Sequence, residues 1–221
     1  MPVKTKALNP KILQFALKEL DQHLLPDLHY TSALHRFLKK ETKPKEYLSS
    51  PYGFKKFLHV YGISRTIGAG DKCKLKILAL LRKYPFDDHY IESVTLLAEK
   101  IQKRGLSSNA ANGGFGLPRS FCSKLLYVYK PDEIIPFDSY VLKSLEANSG
   151  QKIKSIEQYY SLSDEFRLKH FSETSTPLKA LREKYDADHL HMMTPLHINP
   201  GKLYSWKLTD KYLWCQAFIE R

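Results

Sequence analysis

A carboxylate in the phrase IPFDSYV, Asp138, stands eighteen residues after Ser120. Before Ser120 lies the run GGFGLP at positions 113–118, followed directly by Arg119. Gly113, Gly114 and Gly116 let the chain turn tightly and bring its backbone close to a ligand. N–H groups at the head of a helix attract anions, and Arg119, Lys124 and Lys130 add positive charge beside them. These residue types suit capture of a DNA phosphate next to a carboxylate that does chemistry. A carboxylate of this kind can stabilise developing positive charge and can orient or deprotonate a water.

The elements that must hold these residues are legible in the local pattern. Phe121, Leu125, Leu126 and Val128 give the segment from about Arg119 to Tyr129 one apolar face, with Lys124 and Lys130 expected in solvent. Pro131 stops that helix. Asp132 and Glu133 make a turn, Ile134 and Ile135 bury, and Pro136 extends the chain ahead of a helix running to about Leu145. Asp138 then has an ordinary job as well, because Asp is among the preferred residues for capping a helix N-terminus.

The segment resembles the helix-hairpin-helix DNA glycosylases. Gly116-Leu117-Pro118-Arg119-Ser120 is similar to the Gly-Val-Gly-Arg-Ser hairpin of their adenine-mismatch branch. Ile135-Pro136-Phe137-Asp138-Ser139-Tyr140-Val141 is similar to their Val-Pro-Val-Asp-Thr-His-Val, and the spacing between the halves fits. The likeness covers some thirty-five residues strongly and the remainder only through helical character and charge. It implies an all-α, two-lobed fold, with one lobe over about 30–130, a hairpin motif at 107–129, and a second lobe from 1–29 plus 131–221. It also implies that Asp138 lies in a cleft between the lobes and acts as the catalytic carboxylate.

The departures from the family pattern are specific. Pro118 replaces the second hairpin glycine and removes one phosphate-binding N–H. Ser120 occupies the position where the bifunctional branch carries its lysine nucleophile, which implies hydrolysis to an intact abasic site. Lys124, one helical turn on and on roughly the same face, keeps a lysine Schiff base as a second option. Cys73, Cys122 and Cys215 are too far apart in sequence for the family's iron–sulfur cluster, so no cofactor is expected. Tyr140, Trp206 and Trp214 are the aromatic candidates for stacking a flipped base, with plain core packing as the ordinary reading of each.

Composition points the same way. The 221 residues are 43% hydrophobic, enough for a single globular unit with a sizeable core. Thirty-five lysines and arginines against 23 acids leave a net charge of +12, the footprint of a phosphate-binding surface, although excess lysine also serves solubility. There is no secretory signal after MPVKTKALNPK and no apolar run of membrane-spanning length. Three widely spaced cysteines fit a reducing compartment. The expectation is a cytoplasmic or nucleoid-associated monomer that binds double-stranded DNA, away from any membrane.

Helical periodicity dominates the rest. Ile12, Phe15, Ala16, Leu20 and Leu24 define a first helix, and Leu34, Phe37 and Leu38 a second that ends before Pro44. A third follows Pro51 with Phe54, Phe57, Leu58 and Tyr61 in a stripe. Further helices are expected over Asp71–Tyr84, Ile91–Lys103, Ile153–Phe171, Pro177–Lys184 and Thr209–Phe218, the last capped by Thr209. Between the third and fourth, GISRTIGAGDK reads as a turn, with Gly68 and Gly70 also able to form a phosphate nest. The run DADHLHMMTPLH is expected as a loop. His189, His191 and His197 match no zinc spacing, so no metal is expected.

Other chemistries lack their signatures. There is no Gly-x-Ser-x-Gly elbow and no Walker A loop, and Cys122 reads as a small buried residue. Two rivals to a glycosylase stay open. One is a non-catalytic helix-hairpin-helix DNA-binding protein in which Asp138 only caps its helix. The other is an RNA-binding module.

Overall fold

The computed structural model describes residues 7–86, 89–108 and 117–219, and within these the side chains of residues 186–190 are left out of the description. Among the described residues the chain is all-α: α1 (Pro10–Leu38), α2 (Pro44–Ser49), α3 (Phe54–Val60), α4 (Asp71–Leu81), α5 (Tyr90–Lys103), α6 (Arg119–Tyr129), α7 (Ser139–Ser149), α8 (Ile156–Lys169), α9 (Phe171–Met193) and α10 (Pro200–Ile219). A single 3₁₀ turn, Thr194–Leu196, separates the last two. An isolated antiparallel bridge between Ile67 and Ser107 is the only β pairing among these residues.

The chain divides into two compact units. One is discontinuous, Met1–Leu25 with Asp138–Arg221, and the other is the insert Pro26–Phe137. In the insert, α2 packs on α3 and α4, and α5 on α6. Its centre is aromatic: Phe37 stacks on Tyr47 at 4.6 Å, and Phe121 of α6 meets Phe54 edge-on at 6.0 Å. In the discontinuous unit, α10 packs against α7, α8 and α9. The Ser144 hydroxyl there donates 2.6 Å to the Leu213 carbonyl, fixing α7 to α10.

Several expected boundaries are corrected. The two helices expected before Pro44 are one. Ile12, Ala16, Leu20, Leu24 and Leu28 recur every four residues and are at most 1% exposed, so burial carries the helix through Pro26, which removes only the N–H that would bond the Gln22 carbonyl. Phe15, expected on the buried face, is 39% exposed. The expected helix from Pro177 begins at Phe171, again with a proline inside it. The segment expected as a loop, DADHLHMM, is the last part of α9. Thr209 is not a cap. It lies within α10, where its hydroxyl donates 2.9 Å back to the Ser205 carbonyl. The GISRTIGAGDK segment is a turn, with Gly70 at φ 84° just before α4, and the Gly68 N–H donates to the Leu106 carbonyl at 2.9 Å.

Candidate functional site

Asp138 is extended (φ −133°, ψ 143°) and heads α7, with its Oδ1 accepting the Tyr140 N–H at 2.9 Å. Its carbonyl accepts the Leu142 N–H at 2.9 Å, the first bond of the helix. Tyr159 of α8 supports it from a second direction. That side chain is wholly buried and takes a hydrogen bond from the Asp138 backbone. Burial pushes the Tyr159 phenol well above its ordinary value, and the charges of Tyr160, Asp210 and Asp138 push the same way. Tyr159 is therefore a neutral phenol at any physiological pH, a fixed polar support beside two carboxylates. Asp210 and Lys207 occupy α10 one turn apart and are 7% and 1% exposed.

The expected aromatic set separates into two contacts. Tyr140 tilts against Trp214 with centroids 5.9 Å apart, and Trp214 stacks on Phe218 at 5.3 Å. Trp206 is 7% exposed, and the Arg167 guanidinium lies 4.7 Å over its ring. Tyr140 and Trp214 are thus together, and Trp206 serves a different contact.

In the insert, α6 begins at Arg119, which is exposed, after a buried Pro118 that supplies no side-chain cap. Ser123, one turn further on, is fully buried. Its hydroxyl accepts the Phe137 N–H at 2.9 Å and donates to the Ser120 carbonyl at 3.1 Å. Ser120 adds a long 3.5 Å bond to the Phe137 carbonyl. Both polar atoms of the residue preceding Asp138 in the chain are therefore held by α6.

The expected solvent exposure of the two lysines needs correction. Lys124 is half-buried and donates 3.1 Å to the Tyr61 carbonyl, and Lys130 pairs with the buried Asp132 at 3.5 Å, its side chain only 18% exposed. A catalytic amine at Lys124 would first have to surrender its backbone partner. Gly113, Gly114 and Gly116, the expected phosphate-binding turn, lie outside the described residues.

Asp27 was not singled out by sequence. It is 8% exposed and accepts the Tyr61 hydroxyl at 2.5 Å and the Tyr127 hydroxyl at 3.1 Å, joining α1 to α6 and to the residue after α3. The available signal was an acid at Pro26-Asp27 inside an otherwise apolar period. Ser123 and Tyr159 gave no signal, since serine and tyrosine occur on any helix.

Thiol chemistry is suppressed at Cys122 and Cys215. Burial pushes the Cys122 thiol well above its ordinary value and that of Cys215 up to about 12, so neither is a thiolate at neutral pH. Among the described residues no group of three His, Cys, Asp or Glu side chains is placed to hold a metal, and no helix is long and apolar enough to cross a membrane. No protein-family model, curated protein or solved structure matches the chain.

Proposed function

We propose that this protein is a DNA glycosylase that flips a damaged, mispaired or modified base out of duplex DNA and hydrolyses its N-glycosidic bond, leaving an abasic site. The observation that carries this reading is the setting of Asp138. A carboxylate at the head of α7 is oriented by its bond to the Tyr140 N–H, steadied by Tyr159, and preceded by a residue clasped to α6. Catalytic carboxylates need such rigid placement, because misplacement by a fraction of an ångström wastes their electrostatic effect.

In the proposed reaction Asp138 stabilises the positive charge on the sugar as the base departs, and it orients or deprotonates the attacking water. Arg119 and the hairpin hold the DNA backbone. Tyr140 and Trp214 provide an aromatic surface for the flipped base. Ser120, at the family's nucleophile position, offers no amine, and the Lys124 amine is bonded to a carbonyl. These features support hydrolysis without strand cleavage.

Asp138→Asn separates charge from structure, since Asn caps a helix about as well as Asp. Base release from lesion-bearing oligonucleotides and from heavily modified phage DNA should fall by about 100-fold or more in Asp138→Asn, with an unchanged melting temperature. Equal base release by both proteins would remove Asp138 from the chemistry. The cap bond to Tyr140 itself favours one other reading, a non-catalytic DNA-binding protein. That reading expects salt-sensitive duplex binding by both proteins and no abasic sites on any substrate.

A further inference from the structure

The positive charge of this chain is unevenly placed. The insert Pro26–Phe137 carries nineteen lysines and arginines against ten acids, whereas the rest of the chain carries sixteen against thirteen. Within the insert the excess lies in residues 28–83, where thirteen cations meet only three acids, Glu41, Glu46 and Asp71. Each of the three is already engaged. Glu41 reaches Arg36 at 3.7 Å, Asp71 reaches Lys55 at 2.8 Å, and the Glu46 carboxylate accepts the Lys43 main-chain N–H at 3.4 Å.

Packing gathers part of this charge in one place. Phe37, near the end of α1, stacks on Tyr47 of α2 at 4.6 Å, and the Arg82 guanidinium lies 4.4 Å over its ring. Arg82 also donates from Nε to the Phe37 carbonyl at 3.3 Å and from Nη2 to the Thr42 carbonyl. The turn after α1 is thereby tied to the end of α4, with Lys39, Lys40, Lys43 and Lys83 exposed around the tie. Lys76, two turns before Lys83 and also exposed, extends the cationic surface along α4. Among the described residues, none of these five side chains forms an ion pair.

One backbone feature singles out Lys40. α1 ends in a Schellman turn, with the Glu41 N–H donating 2.9 Å to the Arg36 carbonyl and the Lys40 N–H donating 3.1 Å to the Phe37 carbonyl. Lys40 holds the left-handed position of that turn, at φ 65°, where glycine is the usual residue because a Cβ is strained there. A cation kept at a glycine position points to a use for its side chain. The exposed residues nearby indicate the ligand. On α2 they are Lys45, Glu46 and Ser49, and on α4 they are Asp71, Lys72, Lys76 and Ala79. These two helices expose neither an aromatic platform for unstacked bases nor an apolar ridge for lipid. Their ammonium groups suit phosphates.

We propose that Lys39, Lys40, Lys43, Lys76 and Lys83 form a docking surface for the phosphodiester backbone of a nucleic-acid duplex, independent of base sequence. The surface includes neither Asp138 nor Arg119. It goes beyond base excision, since binding there needs no lesion and releases no base.

The test is fluorescence anisotropy of the full-length protein with a labelled, undamaged DNA duplex and an RNA duplex of equal length, across a salt series. Lys39→Gln/Lys43→Gln/Lys83→Gln is compared with Lys11→Gln/Lys18→Gln/Lys154→Gln, which removes the same charge from exposed positions outside the insert. The insert variant should bind the DNA duplex at least about tenfold more weakly, with a salt slope shallower by about 2–3, while the control stays within about threefold of wild type. Lys40→Gly should make the slope shallower by about 1 and raise the melting temperature, since it relieves the left-handed lysine. A purely structural role for Lys40 would not weaken binding while stabilising the fold. Equal affinity for the RNA duplex assigns the shared backbone as the ligand, and weaker RNA binding with the same dependence on the lysines assigns the DNA form; both support the surface. Equal losses in the two triple variants, an unaltered slope in Lys40→Gly, or binding to neither duplex, with or without binding to phosphatidylserine vesicles, would each overturn the proposal. Asp138→Asn should bind the duplex as the wild type does, so failure here and failure of the glycosylase reading are separately visible.

Discussion

Asp138 was visible in the sequence as an acid after Ile-Pro-Phe, yet the residues that hold it were not. Tyr159 and Ser123 act through a hydroxyl placed by tertiary packing, and no local pattern marks such a hydroxyl in advance. The same holds for His35, whose Nε2–H donates 2.7 Å to the Tyr129 carbonyl while its ring stacks on Tyr129 at 4.8 Å. Burial pushes the His35 imidazole below its ordinary value, against the raising effect of that bond and with help from Lys39 and Lys130. The unfolded chain then takes up a proton near pH 6.5 that the fold resists. This contribution is complete above that pH and is lost as pH falls through the unfolded value toward the folded one. Melting temperature should therefore drop between about pH 7.5 and about pH 5.5, and the drop should be shallower in His35→Gln, which keeps an N–H donor. Identical pH slopes in the two proteins would exclude His35 as a source of the dependence.

At the scale of elements, amphipathic period was a sufficient guide where a helix has one wet face. α5 lies where its apolar spacing puts it, because it buries one stripe and exposes the other, whereas α6 keeps its expected bounds with Phe121–Ser123 and Leu125–Val128 all buried. The period failed at α10, whose residues 203–210 are all buried, including Lys207, Thr209 and Asp210. A helix covered on every side has no polar face from which to read its start. It failed also at Pro26 and Pro177, where proline normally ends a helix and packing on either side overrides its local cost. The role of α6 as a packed scaffold predicts that Phe121→Ala, which empties the contacts with Phe54 and Phe57, destabilises by about 3–5 kcal/mol in denaturant titration. Ser155→Ala, removing the cap that accepts the Gln158 N–H at 3.1 Å, should cost only about 1 kcal/mol. A larger effect at Ser155 than at Phe121 would contradict this ordering.

For the whole molecule, the +12 charge was read directly from composition, and its consequence is a salt dependence. If the protein binds duplex DNA as proposed, contact with four or more phosphates predicts that affinity falls by roughly 100-fold or more between about 50 and about 200 mM salt. A flat response would argue against electrostatic capture of the backbone. The discontinuity of the first unit has a consequence of a different kind, in the order of synthesis. Leu8 N–H is bound by Glu173 at 2.8 Å, Asn9 N–H by the Tyr212 hydroxyl at 2.9 Å, and Asp21 by Lys184 at 3.2 Å. These partners are translated more than 150 residues later, on the order of ten seconds at ribosomal speeds of about 5–20 residues per second. By the end of that interval the insert, Pro26–Phe137, has all of its own residues, whereas Leu8, Asn9 and Asp21 are still without these partners. The discontinuous unit can therefore close only after its carboxy-terminal helices are made, later than the insert.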